Sequence, residues 1–286
     1  MEEQGRQLRK IGQNTDIAEA VCQIFDHKAP TYGIPFAALR DRDISALLNG
    51  LVQIPEIGDH QYHIDKFLGH ATERNPFLVA RFFFKRLDIR RKRRKHGIPF
   101  HPLSFLGFRH ALRNISSRPE YKKIIEELLR RAARADGLDK FWLPKFFKDI
   151  SDGYCQAALD NLRPCIISGD RPKLEAAALL LSSAPADFLF DQKDFVVELL
   201  ETAHAISEHC YRSVVSDLFS CAVSGPREGT PGLPKSHDIN IRDQSEAALS
   251  SLQPGSPAYR FYESLVRYAE AEMKDDVARF EENFPE

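Results

Sequence analysis

An all-α protein of about a dozen helices is what this chain predicts, on three observations. Apolar residues recur every three or four positions almost throughout, alternating period-two runs are nearly absent, and capping residues or prolines stand where helical patterns begin. At 286 residues, 43% of them apolar, the chain is close to the globular norm of about 45–50%, which excludes disorder throughout.

In chain order, a first apolar helical stretch surrounds Leu47-Leu48 and is interrupted by Asn49-Gly50. Asn75-Pro76 starts a second, because proline at the first helical position loses only an N–H that had no partner. Asp170-Arg171-Pro172 and Ser256-Pro257 start later helices in the same way. Pro144 and Pro164 fall inside helical patterns and are expected to kink or break them. Turns are expected at Gly58, Gly97, Gly137, Gly153 and Gly169. At the end, Phe261, Leu265, Ala269, Met273, Val277 and Phe280 trace one face of a helix.

A loose repeat runs through these helices. Gly33-Ile34-Pro35-Phe36 returns as Gly97-Ile98-Pro99-Phe100, 64 residues on. Phe67-Leu68-x-x-Ala71 matches Leu128-Leu129-x-x-Ala132 and Leu199-Leu200-x-x-Ala203. Phe83-Phe84-Lys85 matches Phe146-Phe147-Lys148 and, more weakly, Leu218-Phe219. The spacing between the second and third motifs, 16, 18 and 19 residues, is what stacked helical hairpins produce when each buries its apolar face on its neighbours. This predicts a somewhat irregular HEAT-like α-solenoid over 1–224, with loose units at 33–95, 97–150 and 171–224. A chance recurrence in an irregular helical bundle is the alternative. Residues 225–286 then form a loop and capping helices: 225–238 holds three Gly and three Pro, and 263–286 has 8 acids against 3 bases.

The stretch Ser224-Gly225, Gly229-Thr230-Pro231-Gly232, Arg242-Asp243, Pro254-Gly255-Ser256-Pro257-Ala258 and Phe261 to Val266 resembles the end of HEAT-like helical regions of large bacterial multidomain proteins. Some of those carry signalling NTPase or protease modules of the anti-phage type. The resemblance implies an α-solenoid with a recognition or assembly role in bacterial defence or signalling. It supplies no catalytic residue, and this chain has no room for an NTPase module.

Charge is the second signal. Residues 81–134 hold 17 Lys and Arg against 4 Asp and Glu, whereas the whole chain sums to −1. Such a block favours an anionic partner. The run Arg90, Arg91, Lys92, Arg93, Arg94, Lys95 ends the helix begun at Pro76, where one or two cations complement the helix dipole and six repel one another. Arg109, Arg113, Lys122, Lys123, Arg130, Arg131 and Arg134 extend the set. The partner expected is an acidic protein surface or a partner subunit, with DNA or RNA as the alternative. Of Phe82, Phe83 and Phe84, consecutive on a helix, at least one is expected to face outward, although core packing is favoured for the group.

Chemistry is weakly signalled. His60, His63 and His70 share a helix face without completing a known metal spacing, and His204, Glu208, His209 and Cys210 lack an orienting group and an oxyanion site. No phosphate loop, dinucleotide fingerprint, nucleophile elbow or His-Glu-x-x-His occurs, and Pro226 and Pro231 interrupt the glycine-rich stretch 225–232. Neither a catalytic residue nor a metal or cofactor is therefore assigned. A DNA-processing enzyme on a helical scaffold stays as a third reading, with Trp142 and Asp139 as its only nearby pair. Five cysteines without a Cys-x-x-Cys pair, an N-terminus without an apolar leader and apolar runs no longer than that of Ala176–Leu181 predict a cytoplasmic chain with reduced thiols and no membrane span.

Overall fold

The computed structural model describes residues 15–25, 35–57, 62–94, 99–104, 110–223, 230 and 232–283, with side chains at all of these except Arg94 and 279–283. Among them are thirteen α-helices and no strand, so the protein is all-α. The helices are α1 Thr15–Gln23, α2 Asp41–Leu51, α3 Tyr62–Arg74, α4 Pro76–Arg94, α5 Tyr121–Ala132, α6 Asp139–Ile150 and α7 Gln156–Ile167. They continue as α8 Arg171–Leu181, α9 Phe188–Asp191, α10 Lys193–Ile206, α11 Glu208–Val223, α12 Ser236–Leu249 and α13 Pro257–Asn283. Short 3₁₀ turns lie at Phe36–Ala38 and Ile115–Ser117.

Three helix starts form as their capping residues dictate. Asn75 Oδ1 accepts from Leu78 N at 3.3 Å, Asp170 Oδ1 from Lys173 N at 3.1 Å, and Ser256 Oγ from Tyr259 N at 3.1 Å. Each places proline at or next to the first helical residue and satisfies an amide that the helix itself leaves open. Gly137 and Gly169 take positive φ after helix ends, where a side chain would be strained. Gly58, Gly97 and, within the loop 225–238, residues 225–229 and 231 lie outside the described residues.

Of the two outcomes expected of the internal prolines, a kink or a break, the break does not occur. α6 runs through Pro144 and α7 through Pro164 without ending. Pro144 is enclosed in the core of α6, beside Leu143, Phe146 and Phe147, and that burial outweighs the lost backbone bond.

By packing, the chain divides into two units, residues 1–131 with 135–158, and residues 132–134 with 159–286. In the first, α3 packs on α1 and α4, α2 on α4, and α4 on α6. Its centre is aromatic: Phe83 and Phe84 each lie 5.5 Å from Phe146, and Phe67 sits 5.5 Å from Phe36. Phe82, Phe83 and Phe84 are exposed by only 2, 0 and 4%, which corrects the expectation that one ring faces outward. Three successive residues span about 200° of a helix's circumference, so α4 is packed over most of it here, with Arg81 and Lys85 on the exposed remainder.

In the second unit α10 packs on α8, α9, α11 and α13, while α12 packs on α9 and α13. Of the six residues whose spacing predicts one face of α13, Phe261, Leu265, Ala269 and Met273 are buried, Val277 is half-buried and the Phe280 side chain is not described. Tyr262 is buried with them and donates its hydroxyl to Leu189 O at 2.6 Å. All five cysteines are free, and burial raises the Cys221 thiol to about 12, so it packs as a small apolar group. Among the described residues no helix is long and apolar enough to cross a membrane.

Candidate anion-binding surface

Helix α4 carries most of the charge block. Its residues Arg81, Lys85, Asp88 and Lys92 follow one another at helical spacing on a single stripe, and the three cations are exposed. Beside the stripe runs a groove of about 250 Å³, floored by Leu48, Leu78 and Phe82 and edged by Ser45, Asn49, Arg81 and Lys85. Lys85 Nζ donates to Asn49 Oδ1 at 2.7 Å across it. Arg131 of α5 reaches Asp88 in mid-stripe, with Nη1 at 2.8 Å, and its Nε donates to Glu127 at 2.7 Å. Burial opposes the charge on Arg131, but these two carboxylates hold its guanidinium above the ordinary value.

Of the thirteen cations assigned from the sequence, Lys95 and Arg109 lie outside the described residues, and the Arg94 side chain is not described. Three others are tied down internally. Arg91 grips the largely buried Asp139, with Nε at 3.0 Å, which raises the Arg91 guanidinium above its usual value. Arg130 pairs with Glu127, and Arg131 with Asp88 and Glu127. Arg93 donates to Gln53 Oε1 at 3.1 Å and stands 4.8 Å from the Phe100 ring centre. Arg90, Lys92, Arg113, Lys122, Lys123 and Arg134 pair with no carboxylate among the described residues. Arg134 groups with the second unit.

Arg81 and Lys85 join the stripe although the cation-run reading passed over them. Their signal was present: Arg81, Lys85 and Lys92 stand at i, i+4 and i+11, one helix face. Exposed Leu138 and Phe141 stand beside Asp139, the residue that Arg91 holds. Of the pair considered for chemistry, Trp142 is buried and Asp139 is engaged by Arg91.

Arg86 is the residue that sequence reading missed most completely. It is fully buried and has no carboxylate partner among the described residues. Instead it donates to four carbonyls: Nε to Pro102 at 2.9 Å, Nη1 to Ile54 at 2.7 Å and Val52 at 3.3 Å, and Nη2 to His101 at 2.6 Å. The ring of Phe100 lies 4.6 Å from its Cζ. Burial, and then neighbouring Arg93, lower the guanidinium to about 9, which leaves it charged at neutral pH. Arg86 therefore fastens the segments 52–54 and 101–102 to α4, beneath the stripe.

Asp149 of α6 shows the opposite imbalance. Burial raises its carboxyl to about 6 against the pull of Lys145 and Lys148, and its Oδ2 has no hydrogen-bond partner among the described residues. Its folded value exceeds the unfolded one, so the folded state binds more protons between about pH 4 and 6, and stability falls as pH rises through that window. Asp149→Asn is expected to stabilise the protein by about 1–3 kcal/mol at pH 7, with the gain disappearing at pH 4. Urea unfolding at the two pH values checks this; an equal effect at both would refute it.

His63 and His70 lie on α3 while His60 is outside the described residues, and among those described no group of three or more His, Cys, Asp or Glu could hold a metal ion. His204 lies 3.8 Å from Glu208, and Cys210 is buried. No family model, no curated protein and no solved structure matches the chain.

Proposed function

We propose that the chain is a non-catalytic recognition or assembly module that docks an acidic protein segment along α4. The observation that carries this reading is the exposed stripe Arg81, Lys85 and Lys92 running beside an apolar-floored groove. Cationic edges steer an acidic chain and set its register, while Leu48, Leu78 and Phe82 offer a footing for one apolar side chain. HEAT-like hairpins are the proposed building block. In its support, the repeated motifs fall on successive helices, α3 with α4, α5 with α6 and α10 with α11, and both Phe-Phe-Lys copies are buried, buried and exposed. The setting proposed is bacterial defence or signalling, as the resemblance of the C-terminal stretch implies.

Charge reversal tests the docking. The variant Arg81→Glu/Lys85→Glu/Lys92→Glu is expected to fold normally and to lose capture of an acidic polypeptide from nuclease-treated lysate. The wild type releases the same polypeptide between about 50 and 200 mM salt, because exposed charges are screened over that range. Equal capture by variant and wild type would refute the reading.

A second reading, low-specificity nucleic-acid binding, is favoured by one observation. Phe141 is 48% exposed next to Lys140 and Asp139, close enough in sequence to the Arg91 contact to present a ring among cations. On that reading duplex or single-stranded DNA binds with a steep salt dependence and loses affinity in Phe141→Ala.

A further inference from the structure

We propose that a second site, in a cleft between α3 and the segment 110–118, binds a phosphate group carried on a small polar molecule. The cleft encloses about 330 Å³, within the size range of small-molecule sites. Lys66, His70, His110, Arg113 and Arg118 all line it, with Glu73 as the sole acid. The Glu73 side chain is mostly exposed, so its charge is largely screened by water.

The cleft is built, rather than left over between loops. Asp65 of α3 accepts from the amides of His110 at 3.1 Å and Ala111 at 2.9 Å, which anchors the start of the segment. Thr72 donates its hydroxyl toward Leu68 O and Ala111 O, fixing the next residue. Gly69 allows the close approach: a Cβ there would meet His110 Cβ at 2.8 Å and its backbone carbon at 3.2 Å. Asn114 then turns the chain with φ 59°, a left-handed conformation uncommon outside glycine, and brings Ser117 and Arg118 back over α3.

Arg118 identifies the ligand chemistry. Its Nη2 donates to Glu73 O at 2.7 Å, which holds the guanidinium in place. Its Nε is shut from solvent and has no hydrogen-bond partner among the described residues. The Arg118 side chain is only half-buried and lines the cleft, and a phosphate oxygen is the acceptor that a guanidinium fork matches best. No Phe, Tyr or Trp lines the cleft, and the polar lining favours a hydroxylated or inorganic carrier over a nucleobase. Arg113, assigned from the sequence to the macromolecular surface, also lines this cleft.

Calorimetric titration of the full chain with ribose 5-phosphate and, separately, inorganic phosphate tests the site. Saturable one-to-one binding of ribose 5-phosphate is expected, weaker by about tenfold in Arg113→Gln and in Arg118→Gln, since each removes a charge-assisted hydrogen bond. Binding of inorganic phosphate with equal affinity would assign the site to the free anion. Arg113 is exposed, so its variant reports binding even if loss of Arg118 perturbs the fold. Lys92→Gln, on the α4 stripe, is expected to bind as the wild type does, which keeps this test separate from that of the docking surface. No saturable binding of either probe, or equal weakening by Arg113→Gln and Lys92→Gln, would overturn the proposal.

Discussion

Replacing Arg86 with methionine is expected to destabilise the first unit by about 3–5 kcal/mol, the range for breaking a buried charged network by removing one partner. Methionine matches the length and removes a buried charge, which alone would favour the variant. Four carbonyls, of Val52, Ile54, His101 and Pro102, then lose their donor at once. Unsatisfied buried acceptors cost about 1–3 kcal/mol each, and that outweighs the gain in apolar burial. Arg86→Lys is expected to lie between, because an ammonium cannot span carbonyls on both segments as the planar fork does. The chain's one tryptophan, Trp142, is buried in α6 of the same unit, so its fluorescence during urea unfolding reads the effect. A loss below about 1 kcal/mol would show that water reaches these carbonyls readily.

Phe83→Ala is expected to cost about 3–5 kcal/mol by the same measurement, the usual range for truncating a fully buried phenylalanine. Phe83 contacts Phe82 and Phe146 with ring centres 5.0 and 5.5 Å apart, and a densely packed core refills the vacated space only in part. Lys85→Ala, two residues on but exposed, is expected to stay within about 0.5 kcal/mol of wild type. The contrast separates core from stripe on one helix. Similar losses at both positions would contradict the assignment of the two faces.

Local signals translated well into local structure. Asn75, Asp170 and Ser256 cap the helices they precede, because a cap depends only on the next three residues. The helical periodicity of the final segment likewise gave the buried face of α13. Long-range matters were less legible. Pro144 was expected to kink or break its helix, and the sequence does not show that Phe146 and Phe147 are buried beside it in a helix that continues. The aromatic triplet was expected to expose a ring because nothing local reveals that α2, α3 and α6 surround α4.

The charge block illustrates the same division. Counting cations located a basic region, yet the pairing of Arg91 with Asp139 and of Arg131 with Asp88 joins residues 48 and 43 positions apart. Those pairings offset two of the counted charges with carboxylates and leave Arg81, Lys85 and Lys92 more prominent than the longest run of cations implied. Arg86 lies within the same block and is not a surface charge at all. Its position three and four residues after Phe83 and Phe82, on an otherwise apolar face, is the one hint that the sequence offered.

Lysine acetylation footprinting of the protein, alone and bound to the acidic polypeptide it captures, tests the docking surface most directly. Protection of Lys85 and Lys92, with Lys173 and Lys274 still reactive, is the result expected from a partner lying along α4. Protection confined to Lys173 or Lys274, with Lys85 and Lys92 modified as fast as in the free protein, would contradict it.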